Sequence, residues 1–192
     1  GALTVDQLTV NGTLNFNNSS GSASSSFTLN NGTGTDMVIN GTFINSATGT
    51  FAALAISGSA RWSVSNGGTY VHNSLRSIST ALNAVTLASA SNFEYRGTNS
   101  LIPAVSFAGH TYGNLSFTST SGSYSIIGVG LSGITINGNL TIGSGVSVDL
   151  SAMIGTKVLN GNVSVSASFN PFAFTLATGK TLTLNSGGSI AT

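Results

Sequence analysis

Along its whole length the chain alternates apolar residues with hydroxyl or amide residues in runs too short for a helix, and the runs break at Asn-Gly. LTVNGTLNF (8–16), MVINGTFIN (37–45), ITINGNLTIGSGVSVDLS (134–151) and KVLNGNVSV (157–165) are versions of one phrase. A period of two puts alternate side chains on one face of a strand. Pairs such as Leu8/Val10, Phe27/Leu29, Trp62/Val64, Ile134/Ile136, Val163/Val165 and Leu182/Leu184 therefore form the apolar face of successive short strands. Asn and Gly tolerate positive φ, so Asn11-Gly12, Asn40-Gly41, Asn66-Gly67, Asn137-Gly138 and Asn160-Gly161 are expected to be tight bends.

Two all-β architectures use strands this short: an antiparallel β-sandwich and a parallel β-solenoid, or β-helix. Solenoids repeat every ~20 to 50 residues. The related motifs stand 29 residues apart from Asn11 to Asn40 and 23 apart from Asn137 to Asn160, which favours a single β-solenoid repeat domain over 1–192. The Ala-rich stretch 79–91 keeps its β-branched alternation and reads as strand. Stacking also accounts for the composition: charged residues are 5 %, against a usual ~25 %, while Ser, Thr and Asn supply 76 of 192 positions. Identical charges stacked at ~4.8 Å would repel, whereas hydroxyls and amides can hydrogen-bond along the ladder. At 40 % hydrophobic residues the chain carries too much apolar material for disorder, although NNSSGSASSS (17–26) reads as a loop.

A net charge of +1 with no basic cluster sets nucleic acid aside, and no apolar run reaches the ~18 residues that insertion into a membrane as a helix requires. No basic segment precedes an apolar stretch at the N-terminus, so the sequence is expected to begin after any export signal or to lack one. With no cysteine, disulfides, thiolate metal sites and cysteine nucleophiles are excluded together. The acids Asp6, Asp36, Glu94 and Asp149 are isolated from one another, and His72 and His110 lack companion ligands, so catalytic residues, metal and cofactors are all expected to be absent.

GGTYVHN (67–73), FEYRG (93–97), TYGNLSF (111–117) and INGNLTIGSGVSVDLS (136–151) resemble the repeated β-rich segments of very large secreted or cell-surface proteins of Gram-negative bacteria, often exported by the type IX route. The resemblance covers roughly residues 54 to 190. It implies an extracellular, adhesin-like β-helical segment, either a piece of a longer protein or a filament subunit, whose partners are neighbouring repeats or copies of itself end to end.

One cluster offers an alternative. Residues 61–112 hold Trp62, Tyr70, Tyr95, Arg96 and Tyr112, with the tyrosines about one coil apart. On an outer face this row would suit stacking and hydrogen bonding to extracellular glycans, making the domain a carbohydrate-binding module. The favoured reading is an aromatic stack packing coils together. A β-helical polysaccharide-degrading domain is the enzyme alternative, and it requires converging carboxylates.

Overall fold

The computed structural model describes residues 3–17, 27–46, 54–105, 109–171 and 173–191, and it is a parallel β-solenoid. The expected loop over 17–26 lies outside the described residues apart from Asn17. Each coil runs along a return wall, a lead-in wall and then a shared wall. The first three coils are β1 (Leu3–Val5), β2 (Leu8–Val10), β3 (Thr13–Phe16); β4 (Phe27–Leu29), β5 (Met37–Ile39), β6 (Thr42–Asn45); and β7 (Leu54–Ile56), β8 (Trp62–Val64), β9 (Thr69–His72). In the fourth coil a short helix, α1 (Ser79–Leu82), replaces the return strand before β10 (Val85–Leu87) and β11 (Asn92–Thr98). The fifth has β12 (Thr111–Tyr112) and β13 (Asn114–Ser121). The remaining strands are β14 (Tyr124–Ile127), β15 (Ile134–Ile136), β16 (Leu140–Ile142); β17 (Val146–Asp149), β18 (Lys157–Leu159), β19 (Val163–Val165); β20 (Ser168–Asn170), β21 (Phe174–Leu176), β22 (Leu182–Leu184); and β23 (Ser189–Ile190).

The shared wall is one sheet of eight strands, in the order β22-β19-β16-β13-β11-β9-β6-β3. Residues related by one coil stand in register. Phe43, Tyr70, Phe93, Leu115, Leu140 and Val163 form one inward column, and Asn45, His72, Tyr95, Phe117, Ile142 and Val165 form the next. The alternating pairs read from the sequence all fall in strands, and most of their side chains are buried. Outward positions carry hydroxyl columns, Ser116–Thr141–Ser164–Thr183 on the shared wall and Ser125–Ser147–Ser168–Ser189 on the return wall. Like charges there would repel by about 0.9 kcal/mol per neighbouring pair even in bulk water.

A second set of polar ladders runs along the corner leading into the shared wall. Asn40 Nδ2 donates to Asn11 Oδ1 at 2.9 Å, and Ser65 Oγ donates to Asn40 Oδ1 at 2.7 Å. Further along, Asn114 Nδ2 donates to Asn92 Oδ1, and Asn114 Oδ1 accepts the Asn139 N–H at 2.8 Å. Asn139 Oδ1 accepts the Asn162 N–H, and Asn162 Oδ1 accepts that of Thr181. The partners are separated by 29 residues at the N-terminal end and by 19 at the C-terminal end. Coils are thus longer than ~20 residues on average. Eight strands at ~4.8 Å give a shared wall about 34 Å high, shorter than an even 20-residue repeat implies.

Two local expectations change. Residues 79–82 are helical, with Trp62 Nε1 donating to the Ala81 carbonyl at 2.7 Å inside the core; strand resumes at Val85. Of the five Asn-Gly glycines only Gly67 has positive φ, at 79°. The corners at Gly41, Gly138 and Gly161 need glycine because the adjacent coil is too close for a Cβ: one at Gly41 would meet the Gly12 carbonyl oxygen at 2.2 Å, and one at Gly161 that of Gly138 at 2.0 Å. A Cβ at Gly12 would meet no atom of the described residues within 4 Å. Gly161→Ala should therefore lower stability in urea unfolding by about 2 kcal/mol, in the range of overpacking substitutions, while Gly12→Ala in the same dipeptide should stay within about 0.5 kcal/mol of the parent. Equal effects would mean that close coil stacking does not select these glycines.

Candidate functional site

The five residues of the glycan-facing alternative do not form an outer face. Trp62, Tyr70, Tyr95 and Tyr112 are fully buried, because each occupies an inward strand position. They belong to a ring stack crossing the first five coils: Phe27–Phe43 at 5.3 Å, Phe43–Tyr70 at 5.8 Å, Tyr70–Phe93 at 5.0 Å, Phe93–Tyr112 at 5.2 Å and Tyr95–Phe117 at 5.5 Å. Trp62 packs on Tyr70 at 5.0 Å. A sugar outside the solenoid cannot stack on any of them. Arg96 alone projects outward, and its Nε and Nη2 each donate to Glu94 at 2.8 Å. Thr118 Oγ1 donates to Glu94 Oε1 from the next strand.

The tyrosine hydroxyls have interior partners. Asn45 Nδ2 donates to Tyr70 Oη at 3.2 Å, the Tyr95 and Tyr112 hydroxyls lie 3.5 Å apart, and Tyr124 Oη donates to the Thr118 carbonyl at 2.7 Å. Burial raises the pKa of Tyr70, Tyr112 and Tyr124, so these phenols stay protonated.

Two acids do approach each other, which their separation in sequence concealed. A Cβ at Gly32 would meet Asp6 Oδ1 at 2.5 Å and Asp36 Oδ1 at 3.1 Å, so both carboxylates flank that backbone. Asp36 is buried, and its oxygens accept the N–H groups of Gly32 at 2.6 Å and Arg61 at 2.7 Å. Both oxygens tie loops together, a structural use. Asp149 ends β17 and accepts the Ser151 N–H at 2.8 Å, a bond that lowers its pKa. Among the described residues no three His, Asp or Glu side chains gather as metal ligands.

Two buried polar residues stand in slots that the alternation assigns to apolar side chains. Lys157 lies in an inward column between Ile134 and Phe174, with its Nζ donating to the Met153 carbonyl at 2.6 Å. His72 lies between Asn45 and Tyr95, and among the described residues neither imidazole nitrogen has a hydrogen-bond partner. Burial pushes its pKa down to about 4, tempered by the nearby backbone of Arg76, Ala104 and Ser74. Period two marks both positions as inward, but it does not say what polar group can be tolerated there.

Three surface features of the described residues bear on function. At the end of the shared wall, Leu182 and Leu184 are 46 % and 51 % exposed, although their in-register counterparts Val163 and Val165 are buried. At a corner, Val129, Leu131 and Ile154 are exposed beside the Gly130–Met153 bridge. Between the fourth and fifth coils the lead-in wall opens into a cleft of about 400 Å³.

His72 supplies a pH test of this interior. Its folded pKa of about 4 lies below its ordinary 6.5, so the folded chain holds fewer protons than the unfolded one between those values. Its contribution is therefore complete above pH 6.5 and declines as pH falls toward 4, by on the order of 3 kcal/mol. His110, half-buried at the cleft, is lowered in the same direction. In urea melts from pH 7 to 4, His72→Phe should remove most of the decline; an undiminished decline would show that His72 is not the group responsible. Comparison of the chain with protein-family models, with curated proteins and with solved structures finds no match.

Proposed function

We propose that this chain is a non-enzymatic structural segment of an extracellular surface or filament protein, a stiff spacer that continues end to end. The observation that carries this reading is the inward column of the shared wall, which runs without a break through eight strands and leaves Leu182 and Leu184 exposed on the last of them. Its aromatic rings are used in packing, and Asp36 binds backbone, so the residues that suggested binding or catalysis are engaged in the fold. The resemblance of residues 54–190 to repeated segments of secreted surface proteins supports placing the segment outside the cell.

An exposed strand edge with an apolar inward face recruits another strand. The partner is a further coil, of a neighbouring repeat or of another copy; between copies, Leu182 and Leu184 of one would meet Leu14 and Phe16 of the next, which occupy the same two columns. Such a head-to-tail contact repeats into filaments unless its rotation closes a ring.

Sedimentation of the purified chain should show association that grows with concentration. Leu182→Asp with Leu184→Asp should weaken it at least about tenfold, since two buried leucines contribute more than the ~1.4 kcal/mol that this factor represents. Leu131→Asp with Ile154→Asp, at the side corner, should leave it unchanged. Association lost only in the corner variant would mean lateral pairing and would overturn the end-to-end reading.

A further inference from the structure

The lead-in wall is interrupted where the shared wall is not. It consists of two sheets, β10-β8-β5-β2 and β12-β15-β18-β21, with β10 and β12 as end strands, while the strands that follow them, β11 and β13, pair directly. The corner is closed by the Asn114 N–H, which donates to the Ser91 carbonyl at 2.7 Å. Beyond that corner the two coils part, leaving a cleft lined by Leu82, Val85, Thr86, Leu87, His110 and Thr111. Helix α1, ~10 Å across where a strand takes ~4.8 Å, borders the cleft at Leu82, and Trp62 holds it in place through the Ala81 carbonyl.

The backbone on each side of the cleft has a defined orientation. Toward β8, the Trp62 N–H donates to the Ala84 carbonyl at 3.1 Å and the Ala88 N–H donates to the Val64 carbonyl at 3.0 Å. Alternate residues of a strand face opposite neighbours, so Val85 and Leu87 direct their N–H and C=O into the cleft. Across it, the His110 and Tyr112 carbonyls accept bonds from Thr135 and Asn137 of the following coil, at 3.1 and 2.9 Å, which leaves the backbone of Thr111 facing β10.

We propose that this seam is a docking slot for one extended polypeptide strand from a partner, inserted between β10 and β12 and completing the lead-in wall. A three-residue length of strand fills roughly 4.8 by 10 by 10 Å, on the order of 500 Å³, which matches a cleft of about 400 Å³ and leaves no room for a second strand. Side chains set its sequence class. The inward neighbours Val85, Leu87 and Tyr112 call for apolar residues, and the outward neighbours Thr86 and Thr111 call for a hydroxyl. The resulting apolar–hydroxyl–apolar pattern is that of Leu8–Thr9–Val10 and Ile134–Thr135–Ile136 in the same wall. Recognition by backbone pairing at two facing edges is strand addition. A glycan fits less well, since among the described lining residues His110 is the only ring.

The test uses the whole chain and a labelled, end-blocked peptide of residues 132–139, SGITINGN, which contains the strand pairing the far edge of β12. Fluorescence anisotropy should show saturable one-to-one binding. N-methylation of the peptide at Ile134, Thr135 and Ile136 should weaken binding at least about tenfold, because a methylated amide cannot donate to either edge. Hydrogen exchange should slow at Val85, Leu87 and Thr111 when the peptide is present. Absence of binding at millimolar peptide, equal binding of the methylated peptide, or protection at β22 in place of β10 and β12 would each overturn the proposal. Protection of the cleft amides by cello-oligosaccharide and not by peptide would do the same.

Discussion

Successive coils lie one strand spacing apart, about 4.8 Å, and every other feature of this protein answers to that distance. Each outward side chain stands directly over its counterpart one coil away, as Ser147 stands over Ser125 and Ser168. Repulsion between like groups is then repeated at every step, which accounts for a chain with only nine Asp, Glu, Lys and Arg among 192 residues. Hydroxyls and amides both donate and accept, so they turn the same proximity into hydrogen bonds, as in the succession from Asn92 through Asn114, Asn139 and Asn162 to Thr181.

The spacing also governs the interior. Rings separated by one coil come within 5.0 to 5.8 Å of each other, a distance at which aromatic pairs attract. The N-terminal half fills its wider coils with Phe27, Phe43, Tyr70, Phe93 and Tyr95, whereas the C-terminal half, with coils down to 19 residues, uses Ile142, Val163 and Val165. The spacing is not kept on every wall: beside the helix that replaces a return strand, a cleft separates β10 from β12.

Most of the architecture is legible in the residues because inward and outward positions alternate strictly: Trp62/Val64 and Ile134/Ile136 announce both the strands and the buried face. The same alternation argues for burying Tyr70 and Tyr95, and it outweighs the one-coil spacing that made them resemble a surface row. The helix at Ser79–Leu82 escapes a local reading because its placement depends on the indole of Trp62, 19 residues away from Ala81. Approach of Asp6 to Asp36 and the open seam are equally inaccessible, since both depend on which coils lie against one another. The Asn-Gly corners are bends, as their composition implies, but at Gly41, Gly138 and Gly161 the selecting force is contact with the preceding coil and not positive φ.

The spacer role depends on a uniform, stiff rise per coil along the shared wall. Because the chain has no cysteine, spin labels can be placed at chosen cysteines along the outward column that includes Asn15, Ser116, Thr141 and Thr183. Relative to a label at Asn15, pulsed electron–electron resonance should give narrow distances centred near about 19 Å for Ser116, about 24 Å for Thr141 and about 34 Å for Thr183, in steps of ~4.8 Å per strand. Distances that are broad, or that fail to rise with coil number, would contradict the stacked solenoid on which the proposed spacer role depends.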